Sequence, residues 1–110
     1  MNLEKIQYRL KDSLVTIYRR RPDEAWHCDD GPAYIREFED GIIHTKWFHQ
    51  DKLHRYDGPA VTNSDDDLVY YINNRNVTDI VKEWLAERNY TWENMSDVEK
   101  WELELFTRSL

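Results

Sequence analysis

With one cysteine, Cys28, in 110 residues, the chain cannot form an internal disulfide, and nothing in it calls for an oxidising compartment. Three glycines and three prolines are too few for a flexible linker or a low-complexity tail. No apolar run approaches the roughly 20 residues that cross a bilayer. The opening Met1-Asn-Leu-Glu-Lys-Ile-Gln-Tyr8 lacks the apolar stretch of a secretory signal. A glycine-rich phosphate loop and a nucleophile-elbow serine are also missing. The expectation is a soluble cytoplasmic protein with no membrane partner and no cofactor.

What remains is aromatic and charged. Hydrophobic residues make up 40% and charged residues 34%, while five Trp, seven Tyr and three Phe offset the thin aliphatic supply. One domain, 1–110, suits this length. The net charge of −7 is uneven: residues 1–26 sum to +2, 27–77 to −5 and 78–110 to −4. An acidic surface repels phosphates, so direct nucleic-acid binding is not expected, and Arg19-Arg20-Arg21 is a short counter-signal.

One phrase is said twice, 27 residues apart: Trp26-His-Cys-Asp-Asp-Gly-Pro-Ala33 and Leu53-His-Arg-Tyr-Asp-Gly-Pro-Ala60. Repetition at that period signals one structural unit copied, each copy burying a face against its neighbour. Around it, residues 1–77 read as strands. Ile6, Tyr8 and Leu10 alternate with polar residues, Lys11-Asp12-Ser13 turns, and the β-branched Val15-Thr16-Ile17-Tyr18 favours a hairpin over a helix. Tyr34–Phe38 and Ile42–His49 flank the turn Glu39-Asp40-Gly41, and Gln50-Asp51-Lys52 and Asn73-Asn74 turn again. The pairs Ile17-Tyr18, Trp47-Phe48 and Tyr70-Tyr71 each end a strand shortly before a polar turn. The fold class expected is α+β: an antiparallel meander of five to seven strands, about two and a half units over 1–77, packed against two helices in 78–110.

In the helical part Thr78 is the expected N-cap of a helix whose apolar stripe is Ile80, Val81, Trp84 and Leu85. Ser96-Asp-Val-Glu99 forms a capping box opening a second helix that runs to about Ser109. That helix carries two stripes, Val98-Trp101-Leu105 and Leu103-Phe106-Leu110, together covering an arc of roughly 200°. One stripe serves the fold. The other is left for a partner, and Leu103, Phe106 and Leu110 are the residues expected there, with a homodimer as one outcome.

The units His27-x-x-Asp30-Gly31-Pro32-Ala33 and His54-x-x-Asp57-Gly58-Pro59-Ala60, separated by an aromatic pair and a polar turn, resemble MORN-like repeat proteins of phage and bacterial type. The match covers about residues 17–77, with Cys28 and Trp26 departing from Arg55 and Leu53 of the second unit. The resemblance implies an antiparallel β-repeat, no established enzymatic activity and, for a phage-encoded protein, residence in the host cytoplasm.

His27 and His54 with Asp30 and Asp57 invite acid–base or metal chemistry. A turn reading competes and is preferred: the aspartates cap amides, the histidines fix the preceding strand, and register needs both copies. His44, His49 and His54 fall five apart, but 44 and 49 have opposite parity on a strand. Asn63, Asp65 and Asp67 begin like a calcium loop that Leu68 and Asn74 then fail to complete. Cys28 reads as an inert thiol. The functional expectation is a non-catalytic acidic module that binds and modulates another protein, a host protein on the phage reading, through Glu39, Asp40, Asp65, Asp66 and Asp67 and the last helix. The acidic turns would imitate nucleic acid toward a basic surface. The competing expectation is a small metal-dependent hydrolase using His27/His54 and Asp30/Asp57.

Overall fold

The computed structural model describes residues 3–20, 23–64 and 67–110, and statements about the structure refer to these. Alternation in the first segment gives the hairpin β1 (Leu3–Arg9) and β2 (Ser13–Arg20), paired from Leu3↔Arg20 to Arg9↔Leu14. β3 (Tyr34–Phe38), β4 (Ile43–Lys46), β7 (Val61–Ser64) and β8 (Asp67–Val69) continue it. The result is a six-stranded antiparallel sheet in the order β1-β2-β3-β4-β7-β8.

The strands are more numerous and shorter than the sequence suggests, ten in all among the described residues. The reason lies at Trp47 and Tyr70. Trp47 donates its amide to Ala60 in the main sheet, then accepts at its carbonyl from His54, so the chain leaves one ladder for another. Two small ribbons result: β5 (Phe48–His49) with β6 (Lys52–Leu53), and β9 (Tyr71–Ile72) with β10 (Arg75–Asn76). Tyr18 and Tyr70 receive the amides of His27 and Val77 in the same way. Tyr18, rather than Ile17, is therefore the counterpart of Trp47.

Two helices follow, α1 (Thr78–Glu87) and α2 (Asp97–Arg108), with a 3-10 turn at Trp92–Asn94 between them. Ser96 and Glu99 make the expected capping box. Thr78 does not cap α1. It is the helix's first residue, and its hydroxyl accepts the Tyr70 amide at 3.0 Å. The helices pack on the last strands, where Tyr70, Ile72, Val77, Val81, Trp84, Leu85, Met95 and Leu103 form the core.

This core reverses the assignment of the two α2 stripes. Leu103 is fully buried, Phe106 stacks on Trp84 at 5.1 Å, and Phe106 and Leu110 pack against the core. These three hold α2 to the fold and are not a free partner surface. Val98, Trp101 and Leu105 face outward instead, 67%, 60% and 50% exposed. Summed hydrophobicity could not rank two similar stripes; Tyr90 hydroxyl donating to Glu102 at 3.1 Å helps set the rotation.

The repeat glycines differ in what surrounds them. A Cβ on Gly58 would lie 2.5 Å from Trp92 Cη2 and 2.8 Å from Arg55 Cζ, an arginine already tied to Asp57 and to the Pro59 carbonyl. At Gly31 the nearest atom is Cys28 Sγ at 3.9 Å. Gly58→Ala is expected to cost about 1–3 kcal/mol through overpacking. Gly31→Ala should be neutral or slightly stabilising. Urea denaturation of the two variants checks this, and equal losses would contradict it.

Candidate functional site: two histidine corners and an acidic cleft

The duplicated phrase builds the same device twice. His27 is fully buried, and its Nδ1 accepts the Gln50 amide at 3.1 Å. Beside it the Asp51 amide donates to the Trp26 carbonyl at 2.9 Å, and the Trp26 amide donates to Asp51 Oδ1 at 2.6 Å. In the second copy the Asn73 amide donates to His54 Nδ1 at 3.0 Å, the Asn74 amide to the Leu53 carbonyl at 2.8 Å, and the Leu53 amide to Asn74 Oδ1 at 2.7 Å. Each corner thus grips the tight turn of the following unit by three hydrogen bonds.

These bonds decide what the imidazoles can do. A ring nitrogen that accepts an amide hydrogen carries no proton, so a neutral ring holds its hydrogen on Nε2, a tautomer assigned from the bonding pattern. His27 Nε2 then donates to Asp29 Oδ1 at 2.7 Å. His27, Asp29 and His49 offer ligand atoms within 4.8 Å of one another, close enough for a divalent ion by distance alone. To bind one through Nε2, His27 would have to become an imidazolate or strand the Gln50 amide without an acceptor. As hydrogen-bonded here, His27 does not fit as a ligand of that trio.

The sequence-level histidine trio is not what the fold assembles. His44 packs edge-on against Phe38, 4.8 Å between centroids. His49 lies between the two corners, 4.6 Å from His27 and 5.9 Å from His54, because a ribbon folded across from another unit places it there. Asp29, not Asp30, meets His27. Asp30 accepts from the Cys28 thiol at 3.4 Å, and Asp57 from Arg55 Nε at 2.8 Å, so the departing residues Cys28 and Arg55 both reach the aspartate of their own unit. Arg55 also lies over the Trp47 ring at 3.9 Å.

Between the corners and the end of α2 lies a cleft of about 510 Å³, whose polar lining includes Asp29, Asp30, His49, Asp57, Glu104 and Arg108. Burial, with His49 and Arg108 nearby, pushes the His54 imidazole below its ordinary value. Burial likewise raises the Cys28 thiol, which disfavours the nucleophilic thiolate. Tyr70 is pushed up to about 12 by desolvation, but it belongs to the core.

Of the expected partner-binding residues, Glu39, Asp40 and Asp67 are exposed and do not line the cleft. Asp40 accepts from the Ile42 amide at 3.0 Å, and Asn63 donates to Asp67 at 2.8 Å, so both serve their own turns. Asp65 and Asp66 lie outside the described residues. Glu104 and the Val98-Trp101-Leu105 stripe were not singled out as partner surface from the sequence. The 200° arc of α2 was the signal available for the stripe. Comparison with family models, curated proteins and solved structures finds no match to this chain. No described helix is long and apolar enough to cross a membrane.

Two measurements check the corners. Above the ordinary imidazole value of 6.5 the His54 ring is neutral whether the chain is folded or not. Below it the unfolded chain takes up the proton first, so the His54 contribution to stability is lost as pH falls from 6.5 through the lower folded value. His54→Asn keeps an acceptor near the Nδ1 position and removes the titration. Its stability should fall less than that of the parent between neutral and mildly acidic pH, and parallel curves would contradict the assignment. Stoichiometric zinc should leave the thermal midpoint unchanged, whereas a rise would show Nε2 free to coordinate.

Proposed function

We propose that this chain is a non-catalytic protein-binding module that acts by covering part of another protein. The observation carrying the reading is the outer stripe of α2, where Val98, Trp101 and Leu105 are exposed together at helical spacing. Exposed single apolar residues are ordinary, but an aromatic flanked by two aliphatics on one helical face marks an interaction surface. Trp is also the residue type most enriched among binding hot spots. The repeat histidines support a scaffold role, since both commit Nδ1 to a backbone amide. A metal-hydrolase reading would ask the same rings for chemistry that breaks those bonds. The reading extends to the accessory, phage-type role that the repeat phrase suggests: a small acidic protein that binds and modulates a host protein.

The test is capture from a lysate with immobilised protein, comparing the parent with Trp101→Ser/Leu105→Ser. Both residues are outward, so the fold should survive, as circular dichroism can verify. Loss of at least about tenfold in captured partner is expected for a hot-spot tryptophan. Capture undiminished by the double substitution would overturn the reading.

A further inference from the structure

The outer stripe of α2 and the acidic cleft are one surface. Glu104 follows Trp101 by three residues and Arg108 follows Leu105 by three, so both sit beside the stripe on the helix while lining the cleft. The positive groups at the cleft are already engaged. Arg55 binds Asp57 and the Trp47 ring, and Arg108 pairs with Glu104 at 3.5 Å while lying over Tyr56 at 4.2 Å. Asp29 meets the imidazole of His27, and among the described residues Asp30 accepts a side-chain hydrogen bond from the Cys28 thiol alone. The balance at the cleft is therefore acidic, next to an uncovered apolar ridge.

Resting on the protein-binding reading, we infer that this surface takes a basic amphipathic helix of another protein, its apolar face on Val98, Trp101 and Leu105 and a lysine or arginine entering the cleft near Asp30. Charge decides the class of occupant. Phosphate-bearing chains and anionic bilayers are repelled by the acids. A second copy of this chain brings a net charge of −7 against the same sign. Area points the same way. Trp101, 60% exposed, offers on the order of 100 Å². Three such residues fall short of the roughly 800 Å² per partner of a stable interface unless the cleft is engaged as well.

The probe is a Lys/Leu amphipathic peptide about 18 residues long, enough to form a helix on its own. Controls are a scrambled peptide of equal composition and a Glu/Leu counterpart. Amide and indole resonances of the whole chain are followed by NMR during titration. Shifts centred on the Trp101 indole, Leu105 and Asp30 are expected with the Lys/Leu peptide alone. Affinity should fall at least about tenfold in Trp101→Ser. In Asp30→Asn/Glu104→Gln it should fall several-fold, with a weaker dependence on salt. Shifts centred elsewhere, or equal binding of either control, would overturn the inference. So would a dimer in sedimentation that Trp101→Ser disperses, since that assigns the stripe to a second copy. Lysate capture that needs Trp101 but ignores Asp30→Asn/Glu104→Gln leaves the protein-binding reading standing and removes only the basic helix.

Discussion

A tight turn that holds two successive residues at positive φ costs free energy unless glycine occupies it, and here none does. Gln50 and Asp51 sit at φ 49° and 65°, and Asn73 and Asn74 at 48° and 67°. Non-glycine residues in this region cost on the order of 1–3 kcal/mol each. The geometry is that of the two-residue hairpin turns whose twist suits the flanking strands. What holds it is the preceding unit. Three hydrogen bonds from Trp26-His27 or Leu53-His54, each contributing about 1 kcal/mol net, offset much of that strain. The imidazole reaches across 23 residues in one case and 19 in the other. The small ribbons, and through them the walls of the cleft, depend on that grip.

The same arrangement explains how the array ends. Val77 donates its amide to Tyr70 as His27 does to Tyr18 and His54 to Trp47, so it occupies the histidine position of a third unit. Among the described residues no hairpin turn follows to offer an imidazole its amide. A buried valine fills the place. Tyr70 meanwhile lacks the alanine carbonyl that receives the amides of Tyr18 and Trp47, and the Thr78 hydroxyl replaces it. α1 therefore begins where the repetition stops and supplies the apolar cover that a next unit would have brought, as terminal caps of repeat arrays must.

Local signals carried most of the architecture. Alternation placed β1 to β3, and Ser96 with Glu99 fixed the start of α2, because strand period and capping chemistry depend on near neighbours. Thr78 and Asp29 were misplaced locally, by one residue each, but the larger failures were of longer range. Trp47 divides its hydrogen bonds between two ladders, a choice its own neighbours do not reveal. Leu103 and Trp101 have similar hydrophobic standing, and only the packed partner distinguishes the buried stripe from the open one. His27 and His49 meet because one unit folds against the next, so spacing along a single strand pointed to His44 instead. Of the cleft acids, Asp30 and Asp57 stood out in the repeated phrase, but their convergence with Glu104 from a third segment depends on how α2 packs and was not legible.

The clamp at each corner requires the imidazole proton of His27 and His54 to sit on Nε2 and not on Nδ1. Long-range proton–nitrogen correlation spectra of the imidazoles at neutral pH read this directly, residue by residue once His27→Asn and His54→Asn identify the signals. Nδ1 unprotonated and Nε2 protonated in both rings, with scalar coupling from the Gln50 and Asn73 amides to the Nδ1 atoms, is the predicted spectrum. A proton on Nδ1 in either ring would mean that the corner is not a backbone clamp, and its Nε2 would be open to metal coordination or proton transfer.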